Sequence, residues 1–468
     1  MNLKYNRQLL ALLVAGTLFS ACSVTKTYKS PELKTEGLYR DHQQTDFTTL
    51  ADMPWQSLFS DEKLKSLIQQ GLDQNNDLKN AIQNIVQAQA TLQQTKLAFL
   101  PTLSANADVT RSKQSLAALN FPAGININTL TSTYKLYLST SWEADIWGKL
   151  SSAKRSALAS YLGTDAARKA VQTQLISDIA TNYYSLLSLD KQLKITEETL
   201  KSRIASVETM KELKAGAIVT GAAVVQSEAS RYATEVTIPD LKRSIRETEN
   251  ALNILLGQSP GTIVRGTLDE QVTPTSLSAG FPSQLLQNRP DVQQAELNFR
   301  AAFENTNLAR TYFYPSLTLT ASGGLSSLQL KDFFDQSVFY NLVGGLVQPI
   351  FNQGLNKARL KTNQSLQLQA MNTFQQTLLV AGQEVSNSLY AYQTALEKQE
   401  SRSKQIAALT KSVDYTQELL RFTSATNYTD VLTSEQSLLA AQLSGVSDQL
   451  QKLQAVVTLY RALGGGWQ

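Results

Sequence analysis

Between Tyr134 and Tyr161 the chain changes its hydrophobic period, and that change restricts the possible folds more than any other feature. Tyr134, Leu136, Leu138, Thr140 and Trp142 fall on one face of an extended segment, with Lys135, Tyr137, Ser139 and Ser141 on the other, because strand side chains alternate. From Lys149 the alternation stops, and Ala, Ser, Leu, Gln and Lys continue to about Leu213 without a proline. A helix of ~60 residues is ~90 Å long at 1.5 Å per residue, several times the width of an ordinary domain. The same junction recurs within residues 338–360, where Gln348-Pro349-Ile350-Phe351-Asn352 leads from a strand pattern into a second proline-free run.

The 468 residues carry 43 basic and 39 acidic side chains, a near balance that gives no attraction for nucleic acid. No apolar run after residue 21 is long enough for a membrane helix. Lys4, Arg7, an apolar stretch from Leu9 to Phe19 and then small residues read as an export signal over residues 1–21. The single cysteine, Cys22, follows Leu18-Phe19-Ser20-Ala21. This resembles a bacterial lipobox and implies a covalent lipid on Cys22; the alternative is an incidental thiol. Ser23 stands where an Asp, in the lipoprotein sorting rule, retains such proteins at the inner membrane, so the resemblance implies the outer membrane. Several acyl chains anchor firmly, at about 0.8 kcal/mol per buried CH₂. One cysteine excludes a disulfide framework.

Along the chain, residues 22–60 read as an extended arm, and helix patterns cover 61–100 and 149–256. Between them, 101–148 is a hairpin, its first strand alternating Leu103, Ala105, Ala107 and Val109 with Ser104, Asn106, Asp108 and Thr110. Gly216 and Gly221 mark a helix reversal, and Pro239, lacking an N–H, predicts a kink in the return helix. Residues 257–289, rich in Gly, Pro, Ser and Thr, form the midpoint. The second half then repeats the first: Leu100-Pro101-Thr102-Leu103-Ser104 corresponds to Tyr314-Pro315-Ser316-Leu317-Thr318, an offset of about 214 residues. It comprises helices at 290–313 and 351–463, a hairpin at 314–350 and a tail at 464–468. Met371, Phe374, Leu378, Ala381 and Val385, then after a slip Leu389, Tyr392 and Leu396, form a heptad seam, as do Leu439, Leu443, Val446, Leu450, Leu453, Val457 and Tyr460.

Four strands with one apolar face can lie in a bilayer only if the sheet closes, since an open edge leaves unpaired N–H and C=O groups in hydrocarbon. Four strands are too few to close, so several chains must share one barrel; two copies give eight strands with an interior filled by side chains, and three give twelve with a wider lumen. The competing reading is a soluble four-stranded sheet capped by helices.

Tyr28-Lys29 with Pro31, Trp55 with Leu58-Phe59 and Asp61, Glu143 with Asp145-Ile146-Trp147-Gly148-Lys149, Pro282-Ser283 with Leu285-Leu286, Arg289-Pro290-Asp291-Val292 with Ala295-Glu296, and the ending Ala462-Leu463-Gly464-Gly465-Gly466-Trp467 occur in this order. In these residues the chain resembles the outer-membrane factors, the TolC-type channels, and in particular their lipoprotein branch serving multidrug efflux. The resemblance implies a mainly α protein with membrane β: a homotrimer with a twelve-stranded outer-membrane barrel, four strands per chain, a long periplasmic α-helical barrel and a mixed α/β equatorial belt. It also implies a periplasmic adaptor and, through it, an inner-membrane transporter, a proton-driven one of the resistance-nodulation-division type. Protein secretion or heavy-metal export through the same duct is the alternative. A lipid-anchored coiled-coil adaptor without a pore is the reading from another class; one helical hairpin between soluble β-domains, rather than a doubled layout, would mark it.

No catalytic constellation is present and no cofactor or metal site is expected; the sole histidine, His42, lies beside Asp41 in the arm as a solvated residue. The resemblance places the closed periplasmic end of the tunnel at residues 422–436. There Asp430 matches a gate aspartate of some members, and threefold symmetry would make it a ring of three charges. Thr433 and Gln436 stand where others carry Asp and Arg, and Tyr428 is a further constriction candidate. The plainer reading is that Thr429 or Asp430 caps the last helix. Ala425 replaces the usual turn glycine, which Gly216 keeps in the first repeat; with Gly221 these tips are the expected adaptor contacts. Tyr134, Trp142, Trp147, Tyr314 and Phe339 are candidates for interfacial aromatic girdles, with packing in the belt the alternative for Trp147.

Overall fold

The computed structural model describes residues 24–40, 48–119, 128–274, 277–422 and 427–467. The main elements are α1 (Glu62–Gln74), α2 (Asn76–Leu97), β1 (Thr102–Lys113), β2 (Leu130–Ala144), α3 (Lys149–Ala215), α4 (Gly221–Leu255), α5 (Pro290–Thr311), β3 (Ser316–Ser327), β4 (Val338–Val347), α6 (Leu355–Phe422) and α7 (Tyr428–Ala462). The duplication is visible in the lengths. Helices of 22, 67 and 35 residues in the first half, α2, α3 and α4, answer helices of 22, 68 and 35 in the second, α5, α6 and α7. The chain divides into two compact units.

One unit holds residues 85–163 and 296–373 with the described residues before Glu32. Its centre is a four-stranded antiparallel sheet in the order β1-β2-β3-β4. The register puts Leu103, Thr140, Ala321 and Leu342 in one row, and Ala105, Leu138, Gly323 and Tyr340 in the next row of the same face. On the opposite face lie Ser104, Ser139, Ser322 and Asn341, then Asn106, Tyr137, Gly324 and Phe339, then Asp108 beside Lys135. Leu103, Val109, Leu138, Val338, Tyr340 and Leu342 on the apolar face are all exposed. A soluble sheet capped by helices would bury that face, so the competing reading fails on it. Phe339 lies on the polar face, its ring 6.0 Å from that of Tyr137, which removes it from the lipid-facing girdle. At Gly324 a Cβ would stand 2.2 Å from the Leu136 carbonyl oxygen, so only glycine fits between β2 and β4.

Strand passes to helix by local capping. After β2, Gly148 adopts φ +75°, and the Asp145 carboxylate accepts from the backbone N–H groups of Leu150 and Ser151 at 2.8 and 2.9 Å, closing the start of α3. Lys149 pairs with Glu143 at 2.9 Å. Trp147 donates its indole N–H to the Pro315 carbonyl at 2.7 Å and packs on Tyr314. The arm docks here too: the Tyr28 ring lies 5.9 and 5.5 Å from Phe299 and Phe303 and 5.3 Å from the Arg300 guanidinium.

The other unit holds residues 32–84, 164–295 and the chain from Phe374. Its helices pack along seams. In α6 the buried stripe runs Phe374, Leu378, Ala381, Val385, Ser388, Tyr392 and Ala395, alternating spacings of four and three without the expected slip. The seam passes through the small Ser388 and Ala395, leaving Leu396 exposed, so tight packing rather than hydrophobicity marks it there. Two further expectations are corrected. The first helix is two, because the Asn75 side chain ends α1 and caps α2, accepting from the Leu78 N–H at 3.0 Å and donating to the Leu255 carbonyl at 2.9 Å. Residues 48–60 are not simply extended, since single turns at Leu50–Asp52 and Trp55–Leu58 bury Trp55, Leu58 and Phe59. Pro239 lies inside α4, as the sequence places it. Among the described residues, β structure in this unit is one bridge, Thr49 to Ala279.

Candidate functional site

Two helix reversals in the second unit, α3 to α4 and α6 to α7, share an apolar cluster. Met210, Val224, Tyr428, Val431 and Leu432 are buried in it, with Leu213, Val219, Ala223 and Leu420 packed around them. Helical spacing sorts the residues of α7: Tyr428, Val431, Leu432 and Glu435 point inward, while Asp430, Thr433 and Gln436 lie exposed on the other side. Tyr428, only 6% exposed, is therefore core in the protomer and not a constriction residue, its ring filling the space between the reversals. Burial pushes its phenol above the ordinary value.

The cap of α7 is neither Thr429 nor Asp430 alone. Asn427 is the N-cap; its side chain accepts from the Asp430 N–H at 3.2 Å, and Asp430 returns the bond from the Asn427 N–H at 3.3 Å. This is a capping box with Asp in place of the usual Glu. The pattern Asn-x-x-Asp was present in the sequence, so Asn427 was recoverable from it. At the other reversal the left-handed residue is Ala217, φ +57°, and not Gly216. Bonds from Ala217 to Lys214 and from Ile218 to Leu213, both 2.9 Å, form a Schellman closure in which Ala217 holds the position that glycine favours. Gly221 is the first residue of α4, and Thr220 caps it. Ala425, Cys22 and His42 lie outside the described residues.

Behind the apolar cluster sits a polar layer with no periodic signature. Arg203 of α3, 5% exposed, donates to the Ser230 carbonyl at 2.6 Å and the Thr234 hydroxyl at 2.5 Å on α4. Burial lowers its pKa, opposed by the charge of Glu435. Glu435, also buried, accepts from Gln417 of α6 at 3.0 Å. A cation and an anion are thus buried just inside the reversals, each held by neutral partners on neighbouring helices.

The other motif residues serve the frame. Arg289, buried, reaches Asp291 at 2.6 Å, Glu384 at 2.7 Å and the Ala462 carbonyl at 2.9 Å. Trp467 donates to the Asn288 carbonyl at 2.9 Å under the Lys169 ammonium, and a Cβ at Gly464, φ +90°, would meet that same oxygen at 2.3 Å. The ending thereby folds back onto the Arg289-Pro290-Asp291 turn. Asp61 caps α1 and accepts from the Tyr183 hydroxyl at 2.6 Å.

The outer membrane efflux protein profile matches residues 67–258 and 281–465, which include both reversals and nearly all of both repeats. The chain belongs to this family. The efflux protein is 29% identical over 470 residues to the probable efflux pump outer membrane protein TtgC of Pseudomonas putida, covering 98% of this chain and 96% of that one. It is 28% identical over 475 residues to the cation efflux system protein CusC of Escherichia coli O6:H1, covering 98% and 99%. The solved open state of the Neisseria gonorrhoeae MtrE outer membrane channel superposes with a TM-score of 0.84 at 26% identity, covering 96% of this chain and 99% of that one. The efflux protein is accordingly an outer-membrane channel: its sheet is one third of a twelve-stranded barrel closed by three copies, and its long helices are of the kind that build an α-helical barrel. Among the described residues no helix is long and apolar enough to cross a membrane. The apolar face of the sheet makes that crossing instead.

Proposed function

We propose that this efflux protein is the passive exit duct of a tripartite pump, carrying drugs and other small organic molecules from the periplasm to the exterior. The carrying observation is the polar face of the sheet, where Ser104, Ser139, Ser322 and Asn341 and then Asn106, Tyr137 and Phe339 share rows. Facing the lumen, these rows offer weak hydrogen bonds and two rings to a passing solute, with the charges of Asp108 and Lys135 in the row beyond them. The whole chain has one histidine, one cysteine and four methionines, a poor supply of the imidazole and sulfur ligands that retain soft metal ions. Energy comes from a proton-driven inner-membrane transporter, reached through a periplasmic adaptor. The adaptor docks at the two reversals, where a groove of about 750 Å³ is lined by Leu213, Ile218, Val219, Gln226, Phe422 and Thr429. Asp430, repeated by the threefold axis, forms the charged ring of the gate with Thr433 and Gln436 beside it, and Cys22 carries the lipid.

The similarity to CusC over nearly the whole chain favours cation export as the second reading. Expression in a host lacking its own efflux channels, with the neighbouring adaptor and transporter genes, separates the two. Recovery of drug and solvent resistance is expected. Recovery of silver or copper resistance alone would replace this reading with the second. Mass spectrometry of the mature N-terminus tests Cys22.

A further inference from the structure

Ile350 and Phe351, between β4 and α6, are 98% and 85% exposed. Ile350 is the most exposed large apolar side chain among the described residues. Their segment is conformationally fixed: Pro349 precedes them, and Gln353 and Gly354 follow with φ +57° and +79°, which set the entry to α6. Apolar side chains exposed singly are ordinary, but two adjacent and nearly bare ones on a fixed turn mark a contact surface.

Closure of the barrel says what covers them. Within a protomer β1 and β4 are the two free edges of an antiparallel sheet of four. With an even number of strands, β4 of one copy meets β1 of the next antiparallel, and the interface is head-to-tail around a threefold axis. Both strands have their helix-side ends at the same rim: β1 begins at Thr102 after α2, and β4 ends at Val347 before α6. The residues just beyond Val347 therefore run beside those just before Thr102 of the neighbour. That segment offers Leu97 and Leu100, 53% and 61% exposed. Its backbone is also fixed, since Leu100 donates to the Leu97 carbonyl and Trp142 donates to the Phe99 carbonyl, both at 2.9 Å.

We propose that Ile350 and Phe351 of one copy pack against Leu97 and Leu100 of the next, forming an apolar clasp that seals the barrel where its strands give way to helices. The edge strands supply the hydrogen bonds of the interface, and the clasp supplies side-chain burial at the end of the ladder, where strand pairing stops. The inference concerns assembly and is independent of the exported cargo.

The test uses the intact trimer in outer-membrane lipid, with Phe351 replaced by the photoreactive p-benzoylphenylalanine, an aromatic residue suited to an exposed site. Irradiation is expected to give covalent dimers and trimers, with the adducts mapped by mass spectrometry to residues 94–103 of another copy. Adducts confined to lipid, or to the chain that bears the probe, would overturn the clasp. A Leu100→Cys, Phe351→Cys double variant gives an independent reading. Oxidation should produce a ladder up to trimer on non-reducing gels, whereas each single variant stays monomeric; a double variant that remains monomeric, from trimers intact by gel filtration, counts against the clasp.

Discussion

Asn427 and Asp430 cap each other, the Asn427 side chain accepting from the Asp430 N–H at 3.2 Å and the Asp430 carboxylate from the Asn427 N–H at 3.3 Å. Cap and charge thus coincide in one side chain, and variants separate them. Asp430→Asn keeps an acceptor but removes the charge, while Asn427→Ala removes a cap, at about 1 kcal/mol, and keeps the charge. If Asp430 forms the gate ring, Asp430→Asn and Asp430→Ala raise the basal conductance of reconstituted trimers and Asn427→Ala leaves it unchanged. Equal conductance in all of them would leave Asp430 a cap only.

Ala217→Gly is expected to stabilise the first reversal. Ala217 sits at φ +57°, where a Cβ costs roughly 1 kcal/mol that glycine avoids, less the entropy glycine adds to the unfolded chain. Slower proteolysis at residues 213–221, or slower amide exchange there, is the readout. Faster cleavage would show that the entropy term wins.

Gly324→Ala should block assembly rather than weaken it. The new Cβ would meet the Leu136 carbonyl oxygen at 2.2 Å and the Tyr137 Cα at 2.5 Å, backbone atoms that cannot swing aside as a side chain would. Loss of the trimer band on unheated gels is expected, while Gly323→Ala, with its nearest neighbour at 3.5 Å, keeps it.

Acid should loosen the turn that holds the chain's ending. Burial alone would raise the Asp291 carboxyl, but the hydrogen bonds and charge of Arg289 outweigh it and hold its pKa below the ordinary value. A depressed carboxylate contributes stability that is present above its unfolded pKa of about 3.9 and is lost as pH falls through the folded value. Trimer melting temperature should therefore drop below about pH 4. Arg289→Gln should lower it at neutral pH as well, by the loss of about 3 kcal/mol expected when a buried charge partner is removed, and should flatten the acid slope. An unchanged slope would assign the acid step to other carboxylates.

The hydrophobic period carried the architecture because each element reads its own stretch. Alternation at Leu103–Val109 and Tyr134–Trp142 fixed strands and faces, and the proline-free runs fixed helices whose ends fall near Lys149 and Ala215. The junction motif Glu143 to Lys149 was legible as a boundary; its chemistry, an aspartate cap and an indole bonded to a proline carbonyl 168 residues away, was not. At the reversals the sequence drew attention to Asp430 and Gly216. The structure adds Asn427 as the partner cap and moves the left-handed position to Ala217.

By itself, then, the sequence determined two repeats, four strands with one greasy face each, and helices too long for a globular core, because these depend on periodicities within one segment. Only the tertiary structure decided that Tyr428 is core, that Arg203 and Glu435 are buried behind it, that the seam passes through Ser388 and Ala395, and that Ile350 and Phe351 stand bare. Burial and pairing are set by residues far apart in the chain, and no local pattern records which of them meet.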